Sequence, residues 1–206
     1  MKALIVGASK GFGLSLTNEL TSLGWTVNTM SRTGTIPVDW KTINQATLEK
    51  SLKLLDKQDL IFFYQNYSAL NKSDYTDNLS VAELWKREKD WSQGHFVSSI
   101  LPYHIIKTVG AQRVGFMLSP SSYEHGDLVV HGDYVGNKYQ NYITMRNFSL
   151  TGQGCYFGLT PKQESDLDNS SVNTLNFLKN ISDKELNGNV FYLDGTLVTG
   201  FNTFLR

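Results

Sequence analysis

The chain has a single cysteine, no excess of either charge and no long apolar run. Cys155, alone in 206 residues, excludes an internal disulfide and points to a reducing compartment. Nineteen basic residues balance nineteen acidic ones, so nothing in the charge favours nucleic acid or an anionic membrane as a partner. The apolar run Ala3 to Val6 is too short for a signal sequence or a membrane span, and a cytoplasmic protein is expected. Without an export signal, the six Asn-x-Ser sites (Asn66, Asn71, Asn78, Asn147, Asn169 and Asn180) read as solvent-facing polar residues. No repeat or linker divides the sequence, which predicts one domain over residues 1–206, and no metal is expected.

What the chain does have is enough apolar mass, 40 % of its residues, for one sizeable core. Its organising stretch is Met1 to Arg32. Lys2 to Val6 is nearly all apolar, as a strand buried on both faces would be. It breaks into Gly7-Ala-Ser-Lys-Gly11-Phe-Gly13, after which Leu14, Leu16, Leu20 and Leu23 follow a helical spacing that Gly24 stops. Trp25 to Met30 reads as a second strand. Strand, glycine turn, helix and strand make a βαβ unit whose turn suits a dinucleotide. Glycines let a pyrophosphate approach backbone N–H groups, and the helix N-terminus supplies partial positive charge. Gly7, Ser9, Lys10, Gly11, Phe12 and Gly13 are therefore candidate cofactor-binding residues.

In dinucleotide folds an acid about 20 residues beyond the turn bonds the ribose 2′-OH of NAD. Here Ser31 and Arg32 occupy that place, with Lys10 in the turn. A guanidinium and an ammonium suit a 2′-phosphate, so NADP(H) is expected over NAD(H).

Further strands are expected at Ile36 to Asp39, Asp59 to Tyr64, Arg113 to Ser119, Gly154 to Thr160 and Gly188 to Thr196. Leu48, Leu52 and Leu55 predict a helix, and so do Leu79 to Trp85 and Val172, Leu175 and Leu178, the last capped by Ser170 or Ser171. Trp91 to Lys107 predicts a longer helix with Phe96, Ile100, Tyr103 and Ile106 on one face and a bend at Pro102.

Two Tyr-x-x-x-Lys pairs occur, Tyr103 with Lys107 and Tyr134 with Lys138. Only the second follows a serine-bearing strand end, with Ser122, Ser121 and Ser119 lying 12, 13 and 15 residues before Tyr134. A lysine one helical turn away favours the phenolate and brings a tyrosine toward useful acid–base chemistry near neutrality.

Gly-x-x-x-Gly-x-Gly, then the serines with Tyr134 and Lys138, then a closing strand ending Asp194-Gly195, together resemble the short-chain dehydrogenase/reductase family. The resemblance runs from Ala3 to Thr196, and its brevity is most like the compact C-factor-like branch. It implies a single doubly wound Rossmann fold, a mostly parallel sheet of about seven strands with helices on both faces. It also implies a homodimer or homotetramer. By the same resemblance Tyr134 is the acid, Lys138 also bonds the nicotinamide ribose, and Ser121, with Ser119 and Ser122 as alternatives, holds the substrate oxygen. Asp39 is placed beside the adenine, Asn66 beneath the cofactor, and Pro161 at the exit of the sixth strand. Departures from the family pattern are Tyr67 and Ser68 after Asn66, Trp91 where an asparagine is usual, Lys162 after Pro161 and Thr196 after Gly195. Two function classes follow: an NADP(H)-dependent oxidoreductase acting on a small carbonyl or alcohol, or a cofactor-binding regulator without turnover.

Overall fold

Alternation along buried strands sets the architecture. In β1 (Lys2–Val6), Ala3 and Ile5 enter one apolar cluster while Leu4 and Val6 enter a second. In β4 (Gln58–Phe63), Leu60 and Phe62 join the first cluster, Ile61 and Phe63 the second. A strand that feeds a core on each face has no solvent side, which is why Ala3 to Val6 and Leu60 to Phe63 are apolar throughout. Each fully buried Leu, Ile or Phe contributes roughly 1.5–3 kcal/mol.

The computed structural model describes residues 1–40, 42–43, 45–64, 81–82, 92–119, 132–167 and 170–199. Its seven strands also include β2 (Thr26–Ser31), β3 (Ile36–Pro37), β5 (Ala111–Met117), β6 (Cys155–Thr160) and β7 (Val190–Tyr192). They form one sheet, all parallel, in the order β3-β2-β1-β4-β5-β6-β7. Helices α1 (Gly11–Ser22), α5 (Ser171–Asn180) and the short α6 (Asp183–Leu186) cover one face through Phe12, Leu16, Leu20, Leu175, Leu178 and Leu186. Helices α2 (Gln45–Leu52), α3 (Leu101–Val109) and α4 (Gly132–Thr151) cover the other through Leu48, Leu52, Leu101, Ile105, Tyr142 and Met145. This is the doubly wound Rossmann arrangement. Both edge strands are short, and β3 carries Pro37 where no inner ladder bond is needed. Among the described residues no helix is long and apolar enough to cross a membrane.

Four sequence expectations are corrected. The third strand stops at Pro37, short of Asp39. Leu14 in α1 and Leu23 just past its end are exposed, while Phe12, Leu16 and Leu20 carry the packing. On the long helical segment the large apolar residues that are buried include Val97, Leu101, Ile105, Ile106 and Val109, with Pro102 beside them, whereas Ile100 and Tyr103 are exposed. The cause is a π-helical turn at Phe96–Ile100, closed by the Leu101 N–H donating to the Phe96 carbonyl. Pro102 follows at the start of α3 and has no N–H to donate. The wider turn slips the apolar phase by a residue and replaces a simple proline bend. Finally, neither serine caps α5. Ser170 has near-helical backbone angles and makes no side-chain cap, and the Ser171 hydroxyl instead meets that of Ser15 at 2.7 Å. Val172 on the same helix is exposed. The helix at Leu79 to Trp85 falls almost wholly outside the described residues.

Candidate active site

The strand order reverses between β1 and β4, and in open α/β sheets ligands bind beyond the carboxyl ends of the strands at such a point. The glycine turn stands there. The Gly7 N–H donates to the Met30 carbonyl at 2.9 Å and fixes the exit of β1 beside that of β2. Gly7 and Gly11 have φ of 94° and 56°, a region costly for residues with a Cβ. Gly13 meets a different demand: a Cβ there would lie 2.5 Å from the Gly7 carbonyl oxygen. Lys10 precedes α1 in extended conformation, its side chain makes no cap, and the first turn of α1 holds no acid. The N-terminal N–H groups of α1 are thus left to an anion, and the turn fits a dinucleotide pyrophosphate.

Of the other turn residues, Ser9 and Lys10 are exposed, while Phe12 is wholly buried with its ring 5.8 Å from that of Phe62. Phe12 can therefore face a ligand only through its backbone. At the end of β2, Ser31 is buried and its carbonyl accepts from the Gly34 and Val38 N–H groups, which folds the chain back into β3. Arg32 and Asp39 are exposed. Arg32 and Lys10 therefore offer two solvent-facing cations near the carboxyl ends of β2 and β1.

On the far side of the reversal, α4 runs beside β5. Lys138 is 1 % exposed, and its Nζ donates to the carbonyl of Met117, the last residue of β5, at 3.0 Å. Burial lowers its pKa from 10.5 to about 7. Tyr134 lies one turn earlier on the same helix, with its side chain outside the described residues. Ser119, two residues beyond β5, is buried. Asn66, Ser121, Ser122, Tyr67, Ser68 and Trp91 lie outside the described residues. The competing pair has a plain structural use: Tyr103 is exposed, and Lys107 Nζ sits 5.7 Å from its ring centroid and 5.8 Å from that of Phe148.

Pro161 is buried just past β6. Lys162, the departure from the family pattern, donates to Asp194 at 2.6 Å and lies 5.2 Å from the ring of Tyr192. That contact and the Thr196 N–H hold the Asp194 carboxyl down to about 2. The exits of β6 and β7 are joined in this way. Among the described residues no group of three or more His, Cys, Asp or Glu could hold a metal ion.

Tyr64 was not singled out by the sequence, where it read only as the last residue of a buried strand. Its N–H donates to the Val6 carbonyl at 2.8 Å, and its ring turns toward the glycine turn. A large aromatic at the exit of the strand beside β1 was the signal available.

At the level of sequence the chain matches no protein-family model and no curated protein. Solved structures match over nearly the whole chain. A carbonyl reductase from Pseudomonas aeruginosa PAO1 in complex with NADP superposes with a TM-score of 0.71 at 14% identity, covering 96% of this chain and 98% of that one. An oxidoreductase of the short-chain dehydrogenase/reductase type from Brucella ovis gives 0.66 at 17% identity, with 93% and 98% covered. A Burkholderia multivorans protein assigned to the short-chain dehydrogenases/reductases, with bound NADP, gives 0.67 at 16%, with 96% and 98% covered. The chain has the short-chain dehydrogenase/reductase fold.

Proposed function

We propose that the chain is an NADP(H)-dependent short-chain oxidoreductase acting on a small carbonyl or alcohol, with Tyr134, Lys138 and a serine, Ser121 or its neighbours, at the reacting centre. The observation that carries this reading is Lys138, an amine buried at the carboxyl end of β5 on the helix that bears Tyr134 one turn earlier. Burying an amine is costly, and this one is held at the carboxyl end of a strand rather than released to solvent. A role in chemistry accounts for it, and NADP complexes among the structural neighbours agree.

A bound nicotinamide supplies or accepts the hydride. The chain's own residues handle the proton. Tyr134 would give its phenolic proton to the carbonyl oxygen, or take it back in the reverse direction. Lys138, with a pKa of about 7, would favour the phenolate when charged and could exchange a proton near neutrality. Gly7, Gly11 and the first N–H groups of α1 would hold the pyrophosphate, and Lys10 and Arg32 the 2′-phosphate. Asp39, Asn66 and Pro161 are assigned to the cofactor on the same reading. A homodimer or homotetramer, a single domain over 1–206 and a cytoplasmic location belong to it as well.

Tyr134→Phe tests the chemistry. Reduction of a responsive carbonyl should fall by about 10²–10⁴, the span of one general acid, while NADPH affinity stays within about twofold. Undiminished turnover in that variant would remove Tyr134 as the acid. Cofactor binding with no turnover across a carbonyl panel would favour the regulator reading instead.

A further inference from the structure

We infer that the Tyr64 hydroxyl belongs to the phosphate cradle and donates to the cofactor pyrophosphate beside the N-terminus of α1. The inference rests on the cofactor reading above and adds a residue to it from outside the glycine turn.

Tyr64 is where β4 leaves the sheet in the crevice between β1 and β4, fixed there by its N–H bond to the Val6 carbonyl. Its side chain lies on the α1 side, 8 % exposed, with its ring 5.9 Å from that of Phe12. The ring then runs along the glycine turn. Cδ1 lies 2.9 Å from the position a Cβ would take at Gly13, and Oη lies 2.9 Å from the corresponding position at Gly11. The space that Gly11 opens by lacking a side chain is therefore bordered by a phenolic oxygen.

Gly11 is also the first residue of α1, whose leading N–H groups have neither a side-chain cap nor an acid nearby. A phosphate held by those N–H groups comes within reach of the Tyr64 hydroxyl, and a phenol donates well to a phosphate oxygen. Phe12 and Gly13 pin the ring, so little side-chain entropy is lost when the contact forms. A Tyr64 aimed at the pyrophosphate serves NADPH and NADH alike, because both carry that group. Arg32, by contrast, serves only the 2′-phosphate.

Titration of the full chain with NADPH and NADH, read by nicotinamide fluorescence, separates these roles. Tyr64→Phe keeps the ring against Phe12 and removes one oxygen. It should weaken both nucleotides by about tenfold, and the pyrophosphate ³¹P resonances of bound NADPH should shift while the 2′-phosphate resonance stays put. Arg32→Ala should weaken NADPH alone. Unchanged affinities and ³¹P shifts in Tyr64→Phe, or a loss confined to NADPH, would overturn the assignment while leaving the cofactor reading intact. If the unaltered chain binds neither nucleotide, both fall together.

Discussion

The Lys138 amine is buried, bonded to the Met117 carbonyl, and lowered from 10.5 to about 7 by desolvation. Between those two values the unfolded chain holds a proton that the folded chain lacks, so stability rises with pH across that window. Below about pH 7 the cost of burying the charge is present in full. Lys138→Met should therefore raise Tm at pH 6, by about 2–4 °C for each kcal/mol recovered, and the gain should shrink toward pH 10. The reading is the difference in Tm between variant and unaltered protein at the two pH values. A gain independent of pH would contradict the lowered pKa. Cys155, whose thiol is also strongly shifted, lies apart from these candidate residues. Burial pushes its thiol up to about 12, with Asp183 raising it further and Arg113 opposing, so it behaves as a small apolar core residue.

At the scale of elements, the junction of β1 and α1 tolerates least change. A methyl at Gly13 would meet the Gly7 carbonyl at 2.5 Å and the Tyr64 ring at 2.9 Å, neither free to move far. Gly13→Ala should cost about 1–3 kcal/mol in denaturant unfolding and weaken both nucleotides together. A neutral result would mean that the helix can shift without cost. This unit was legible from sequence because two periods meet there, a continuous apolar run and a 3.6-residue pattern, with glycines between. The segment before α3 was not. Its period is broken by a π-helical turn, and a helical wheel carried through that turn assigns Ile100 and Tyr103 to the wrong side. Capping failed in a similar way. Ser170 stands in the right place with the wrong backbone angles, while Ser182 and Glu185 form a complete capping box on α6 that the spacing Ser-x-x-Glu announces. In the sequence the two Tyr-x-x-x-Lys pairs differ only in what precedes them. Both pairs lie on helices, and what the structure adds is the exposed surface stack of the first against the buried amine of the second.

For the whole molecule, seven parallel strands and their reversal point put the glycine turn, Arg32, Tyr64 and Lys138 at one end of the sheet. No single motif requires this; the topology does, since every parallel strand ends on the same side. Ile100, Tyr103 and Leu150 are exposed apolar side chains on the segment leading into α3, on α3 and on α4, and a self-associating chain would cover such residues. Sedimentation should give at least twice the 23.2 kDa of one chain, and a monomer at all concentrations would remove the oligomer from the account. On the reading proposed above, this end of the sheet holds a phosphorylated dinucleotide, and equilibrium titration of the purified chain with NADPH and with NADH is the decisive experiment. Micromolar NADPH binding with a preference of tenfold or more, about 1.4 kcal/mol, over NADH is expected. Binding of neither nucleotide would contradict it.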